Sequence, residues 1–170
     1  MRFDSQPTLN GRVVNVRPLR ADDYPQFYAV ASDRAIWEQH PVKNRYEDAV
    51  CREFFAESLA SGGALLVIDA ETQEVIGSSR YFGYSESKRE IEIGWTFLAR
   101  SHWGGRYNGA LKKLMLRHAF RFAEAVVFFV DPENIRSQRS LERVGAVREA
   151  ECDSQGRIVY RIVSAAFHGR

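Results

Sequence analysis

Apolar and polar residues alternate over residues 90–97, and charged residues recur every three or four positions after residue 107. The period of two predicts a strand with one apolar face. The residues of that face are Ile91, Ile93, Trp95 and Phe97. Glu90 and Glu92 fall on the opposite face. The later periodicity predicts a helix packed on a sheet, with a narrow solvated edge. The chain is organised around this strand, turn and helix.

The flanking segments show the same two periodicities. Strands are predicted over residues 12–19, 64–70, 74–84 and 125–130, and a closing hairpin over 146–163. Helices are predicted over 21–32, 45–63 and 131–145, with a short turn or helix at 33–42. We interpret residues 1–11 as a loose lead-in. At 170 residues, the chain is predicted to form a single domain with the order β-α-α-β-β-β-α-β-α-β-β.

The turn between the central strand and helix carries glycines at positions 104, 105 and 109. Glycine allows backbone conformations and close approaches that other residues resist. The helix start behind the turn leaves free N–H groups and the positive end of the helix dipole. Such a turn favours an anion site, most often for phosphate. The alternative is a tight connector that needs glycine only to turn.

Composition sets limits on the class of protein. The chain is 45% hydrophobic, and its formal net charge of +2 is too small to indicate nucleic-acid or membrane binding. The two cysteines indicate reduced thiols, and we see neither a signal peptide nor an apolar run of about 20 residues. We therefore expect a cytoplasmic protein. The four histidines lack metal-ligand spacing, so we predict no metal.

The strand, turn and helix resemble motif A of the GNAT acyltransferase superfamily, in its RimJ/RimL-like N-acetyltransferase branch. That family carries Q/R-x-x-G-x-G/A in the turn, and this branch has a form close to W-G-x-G-Y. The matching stretch here is residues 103–107, in which Arg106 replaces the family's second glycine. The last predicted helix resembles motif B, N-x-x-S-x-x-x-x-E-K-x-G-F. Its matching residues are Asn134, Ser137, Glu142, Arg143 and Gly145, with Ala146 in place of phenylalanine.

The resemblance covers nearly the whole chain and implies the GNAT fold, an α/β (α+β) fold. That fold has a mixed, mostly antiparallel central sheet of about seven strands, with helices on both faces. The resemblance also implies acetyl-CoA as co-substrate. The residues expected to bind it in the turn are Trp103, Gly104, Gly105, Arg106, Tyr107, Asn108 and Gly109. Backbone N–H groups at about Thr96, Phe97 and Leu98 would meet the thioester carbonyl. Arg106 is expected to add a charge contact to phosphate.

Many GNAT enzymes use a glutamate on the central strand as general base, and Glu92 stands at that position. Glu90 shares its face and is the second candidate. The alternative is that both glutamates pair with nearby arginine or lysine and only stabilise the sheet.

The family's usual tyrosine acid in the last helix is replaced by Leu141. In this branch a serine near the thiol is expected instead, and Ser137 matches it. The alternative is a serine that bonds its own backbone. Asn134 is either a helix cap alone or a cap that also reaches pantetheine or substrate.

The family builds part of its acceptor pocket between the first two helices, where Trp37 and His40 stand. Trp37 is a pocket wall or a plain core aromatic, and His40 a substrate contact or a structural residue. With Glu90, these are the predicted substrate-binding residues. His102 and His118 are weaker candidates for a functional role. His102 would be a loop neighbour of the phosphates, and His118 a residue on a helix face.

The resemblance implies an acetyl-CoA-dependent N-acetyltransferase that acts by direct attack in a ternary complex. The acceptor would be a protein N-terminus or a small amine, with no nucleic-acid or membrane partner, and a homodimer is left open. The alternative function is a catalytically silent CoA-binding sensor or interaction module.

Overall fold

The computed structural model describes residues 2–167, which form one mixed sheet of eight strands flanked by four α-helices. The strands are β1 (Leu9–Asn10), β2 (Val14–Pro18), β3 (Ala64–Asp69), β4 (Val75–Ser85), β5 (Glu90–Leu98), β6 (Ala125–Val130), β7 (Val147–Arg148) and β8 (Ile158–Val163). The helices are α1 (Tyr24–Ala31), α2 (Asp48–Ala60), α3 (Arg106–Ala119) and α4 (Ile135–Arg143). A short 3-10 helix, Arg34–Trp37, lies between α1 and α2.

The sheet order is β1-β2-β3-β4-β5-β6-β8-β7, and every neighbouring pair is antiparallel except β5 and β6. One buried cluster packs under α3 and α4, and a second packs under α1 and α2. The predicted fold class, a mostly antiparallel mixed sheet with helices on both faces, is confirmed. The parallel pair is joined through α3, as a crossover connection requires.

The prediction that residues 1–11 form a loose lead-in is wrong. Leu9 and Asn10 pair with β2 and form the strand added to the predicted seven. Phe3 is buried, with its ring 5.1 Å from that of Tyr81 and 5.2 Å from that of Tyr84. Burying an aromatic ring is worth about 1.5–3 kcal/mol, which ties this segment to the core.

The predicted alternation of the central strand breaks at a β-bulge. Ser78 pairs with Phe97, and Arg80 pairs with Gly94, so two residues of β5 oppose one residue of β4. The extra residue at this point bends the strand, and Trp95 adopts a φ of 52°. Phe97 consequently packs under α1 and α2, away from the cluster that holds Ile91 and Ile93. The single apolar face predicted from the sequence is therefore wrong beyond Gly94.

Strands β5 and β6 separate halfway along their length. Glu90, Ile91 and Glu92 pair with residues 125–127 of β6. Beyond this point β5 stays paired with β4, and β6 stays paired with β8. The two strands therefore form a V whose closed end lies at Glu92 and Val127.

The ends of the last helix follow from two residues. Asn134 Oδ1 accepts a hydrogen bond from the Ser137 N–H at 3.1 Å, which caps α4 as predicted. Gly145 follows the helix with a φ of 90°, the left-handed position that favours glycine. Among residues 2–167, no helix is long and apolar enough to cross a membrane.

Candidate active site

A cleft of about 300 Å³ opens beside the end of β5 that has separated from β6. It is bounded by β5, the glycine turn, α3, α4 and the segment after α1. The predicted site residues that line it are Trp37, His40, Thr96, Phe97, Leu98, Trp103, Gly104, Gly105, Asn108, Gly109, Asn134 and Ser137. The fold thus brings together residues that are about 100 positions apart.

The charged residues of the cleft wall are all basic. Within residues 2–167, the lining includes Lys112, Lys113, Arg136 and Arg143 and contains no aspartate or glutamate. The two lining histidines are His40 and His102. A wall with several cationic side chains and no acid favours an anionic ligand.

The glycine turn leads directly into an uncapped helix start. Gly104 has a φ of 69°, Gly105 is extended, and no side chain from the described part of the chain caps α3. A Cβ at position 104, 105 or 109 would meet no heavy atom within 4 Å, so the backbone faces open space. Free N–H groups in the first turn and the helix dipole are features that favour an anion at this end of the cleft.

The side chains of two turn residues that were predicted to bind acetyl-CoA do not point into the cleft. Arg106 has a 65% exposed side chain whose Nη2 lies 4.0 Å from Glu71 Oε2. Tyr107 packs against the core, and its ring centroid lies 4.5 Å from that of His102. In this structure, both residues can offer the cleft only their backbone N–H groups.

Trp103 fixes the entrance to the cleft. Its Nε1 donates to Leu98 O at 2.8 Å, which ties the turn to the end of β5. The guanidinium carbon of Arg136 lies 3.8 Å from the Trp103 ring centroid, so α4 closes over the same indole. The guanidinium of Arg136 also donates to Ile36 O at 3.0 Å. This stack connects β5, α4 and the segment after α1.

Lys112 is not marked by any motif in the sequence. This lysine is 6% exposed, and its Nζ donates to Asn108 Oδ1 at 3.2 Å. Burial lowers the pKa of Lys112 to about 8. Asn108 in turn donates from Nδ2 to Ser140 Oγ of α4. The only signal in the sequence was the position of Lys112 beside the charged stripe of the helix and four residues after Asn108.

Glu92 does not line this cleft. It lies at the closed end of the V, on the sheet face opposite to that of the buried Ile91 and Ile93, and its register partner is the exposed Phe82. No ion pair to Glu92 is present in residues 2–167, and burial raises its pKa to about 7 against the opposing effects of Arg157 and Arg80. Glu92 therefore does not fit the alternative in which it pairs with an arginine or lysine and only stabilises the sheet.

Glu90 is held in an ion pair with Arg161 of β8. The same guanidinium donates to Glu149 at 2.5 Å, so Arg161 joins β5, β8 and the segment after β7. This matches the structural alternative considered for Glu90. It does not bring Glu90 into the cleft.

Trp37 is 2% exposed, and its Nε1 donates to Ala31 O at 2.8 Å. His40 Nδ1 accepts from the Val42 N–H at 3.0 Å. Burial, with Arg45 next in effect, lowers the pKa of His40 to about 4, so the ring is neutral at pH 7. Trp37 is thus both a core aromatic and a wall of the cleft.

The Acetyltransferase (GNAT) domain family matches residues 14–147 of the chain. The chain belongs to the GNAT acetyltransferase family. No curated protein gives a match.

Several solved structures are similar to this one over most of the chain. A protein of T. thermophilus assigned as an acetyltransferase is 29% identical, with a TM-score of 0.73 and coverage of 94% of this chain and 90% of that one. The acetyltransferase from Agrobacterium tumefaciens str. C58 is 25% identical, with a TM-score of 0.72 and coverage of 95% and 97%. Mycobacterium smegmatis RimJ, in complex with CoA-disulfide, is 20% identical, with a TM-score of 0.70 and coverage of 89% and 82%. At this identity, the RimJ likeness shows the fold alone.

Two further features of this GNAT domain bear on chemistry. Leu141, at the position of the family's usual tyrosine, is 2% exposed and packs in the core under α3 and α4. Within residues 2–167, no group of three or more metal-ligating side chains is present.

Proposed function

We propose that this protein is an N-acetyltransferase of the RimJ/RimL-like branch, which transfers the acetyl group of acetyl-CoA to a primary amine. The acceptor would be a protein N-terminus or a small amine. The observation that carries the proposal is the cleft beside the free end of β5, lined by four cationic side chains and by the glycine turn at the uncapped start of α3. Acetyl-CoA combines an anionic phosphate end with a thin pantetheine arm, which suits such a cleft.

The residues of the cleft fit this co-substrate. Backbone N–H groups of residues 104–109 would hold the pyrophosphate, and Lys113 and Arg143 supply positive charge nearby. Residues 96–98 of β5 would offer backbone N–H groups to the thioester carbonyl, where negative charge develops during attack. Asn134 and Ser137 would contact the pantetheine arm from α4. Trp37 and His40 would bound the acceptor side.

Glu92 would act as the general base. A primary amine with an unperturbed pKa of about 8–10 is mostly protonated at neutral pH and must lose a proton before or during attack. The Glu92 carboxylate, with its pKa raised to about 7, is poised to accept that proton near neutral pH. Glu92 lies on the strand whose free end lines the cleft, four residues before Thr96. Activity should therefore fall as the pH drops below about 7.

A second candidate function is a GNAT-like CoA-binding module without turnover. The observation in its favour is Leu141, because an apolar core residue replaces the family's usual tyrosine acid. Both functions require CoA binding, and only the first requires free CoA to be released.

Two measurements separate these functions. Calorimetric titration with CoA and acetyl-CoA tests the cleft, and release of free CoA with a panel of peptide N-termini and small amines tests turnover. We expect saturable binding and release that depends on the amine. Binding without release for any amine would favour the silent module, and the absence of binding would refute both.

A further inference from the structure

Lys112 is a buried cation without a role in the acetyl transfer proposed above. Its side chain reaches the cleft from the middle of α3, and its one hydrogen-bond acceptor within residues 2–167 is the neutral side-chain oxygen of Asn108. No carboxylate pairs with it in that part of the chain. Burying an ammonium group without a counter-ion is costly, so its place in an otherwise well-packed core indicates an anion that arrives with a ligand.

The position of Lys112 identifies which part of the ligand it meets. It lies seven residues after Gly105, or about 10 Å along the helix axis from the N-terminal anion site. Its Nζ lies 6.0 Å from the ring centroid of Phe128. Phe128 directly follows Val127, the last residue of β6 that pairs with β5. Lys112 is therefore at the closed end of the V, while Lys113 and Arg143 remain for the phosphates.

Lys112 lines the same cleft as residues 96–98 of β5, where the thioester carbonyl is proposed to lie. There, the group that becomes anionic is the sulfur of CoA. Resting on the proposed function, we infer that Lys112 is the catalytic acid that protonates the leaving thiolate of CoA. It would act in place of the tyrosine that Leu141 replaces.

The step balances without a further reactant. Glu92 takes one proton from the amine as nitrogen attacks the acetyl carbon. The carbon–sulfur bond then breaks, its electron pair stays on sulfur, and Lys112 donates one Nζ proton to that sulfur. Lys112 is left as a neutral amine and regains its proton from solvent, as Glu92 returns its own. An ammonium with a pKa of about 8 is matched to a thiol, whose ordinary pKa is about 8.5.

Asn108 holds the lysine in place. Its side chain bridges Nζ of Lys112 and Oγ of Ser140, so the position of the ammonium depends on the contact between α3 and α4. The other charged or titratable groups on the cleft wall are His40, His102, Lys113, Arg136 and Arg143. Lys113, Arg136 and Arg143 add positive charge, which also favours a thiolate. Only Lys112 among them is a buried ammonium.

The test measures the thiol pKa of bound CoA from thiolate absorbance near 240 nm, which requires no acceptor amine. In the wild-type protein we expect this pKa to be lower than that of free CoA. In Lys112→Met it should rise by at least one unit, which is a tenfold change in the ionisation constant. Lys88→Met, in the exposed turn before β5, is the matched control and should leave the thiol pKa unchanged.

A second titration uses CoA lacking its sulfur. If Lys112 meets the thiolate, Lys112→Met should bind desulfo-CoA as tightly as the wild-type protein does. Turnover with acetyl-CoA should fall about 10²-fold, the lower range for a general acid. Lys112→Arg should keep the low thiol pKa but lose turnover, because a guanidinium keeps its proton.

Three results would overturn the inference. An equal thiol pKa in wild-type and Lys112→Met would remove the contact with sulfur. An equal loss of affinity for CoA and desulfo-CoA would instead place Lys112 on a phosphate. A wild-type protein that does not bind CoA would refute the proposed function itself. Circular dichroism and thermal melting check the fold, and Lys112→Gln replaces Lys112→Met if the latter fails to fold.

Discussion

Replacement of Glu92 by glutamine should make the protein less active and more stable at the same time. The change keeps the shape of the side chain and removes the base. A positioned carboxylate typically contributes about 10²–10⁴-fold in rate, so kcat should fall by that factor. The affinity for CoA should change little, because Glu92 does not line the cleft.

The effect on stability follows from the raised pKa of Glu92. The folded protein holds this proton up to about pH 7, whereas the unfolded chain releases it near 4.5. Protonation of Glu92 therefore contributes fully to the free energy of unfolding below about pH 4.5, and this contribution is lost as the pH rises through 7. A shift from 4.5 to about 7 converts to about 3 kcal/mol, and solvent screening of this partly exposed group reduces it to about 1–2 kcal/mol.

Denaturant unfolding at pH 5 and pH 8 measures this difference. Glu92→Gln should gain about 1–2 kcal/mol over the wild-type protein at pH 8 and much less at pH 5. For a chain of this length the gain corresponds to a rise in Tm of about 2–8 °C at pH 8. The acidic limb of kcat/KM near pH 7 should disappear with the same substitution. Glu90→Gln is the comparison, since it removes an ion pair with Arg161 and should reduce activity much less.

A general-base role for Glu92 is refuted if Glu92→Gln keeps wild-type activity at pH 7 with its acidic limb intact. It is also refuted if Glu90→Gln is the more severe variant, because the base would then be Glu90 or water.

Substitutions at three further positions test the glycine turn and the cap of α4. Gly105→Pro removes a backbone donor and forces φ from −118° towards about −65°. In a folded variant, the affinity for CoA measured by calorimetry should therefore fall more than tenfold. An unchanged affinity would show that the phosphates bind elsewhere. Arg106→Gly should change the affinity for CoA less than tenfold, because the Arg106 guanidinium lies beside Glu71, outside the cleft. A larger loss would show that the guanidinium moves onto a phosphate when CoA binds. Asn134→Ala should cost about 1 kcal/mol of unfolding free energy by loss of the α4 cap, while Asn134→Ser should retain most of it; equal losses would argue against capping.

Local patterns in the sequence determined most of the elements and the position of the glycine turn. A period of two, a glycine turn and a helix start lie within residues 90–120, and each follows from interactions between near neighbours. The cap at Asn134 and the left-handed Gly145 are local for the same reason. These predictions required no knowledge of the tertiary contacts between helices and strands.

The tertiary structure decided the rest, because it depends on pairing between distant strands. The bulge at Trp95 arises from the register of β4 against β5, and it moves Phe97 to the other side of the sheet. The separation of β5 from β6 decides that Glu92 and Lys112 approach the same closed end from different elements. Arg161, 71 positions away in the chain, ties Glu90 into an ion pair and leaves Glu92 without one. The burial of Lys112 likewise depends on α4 and β6, which no pattern within α3 records.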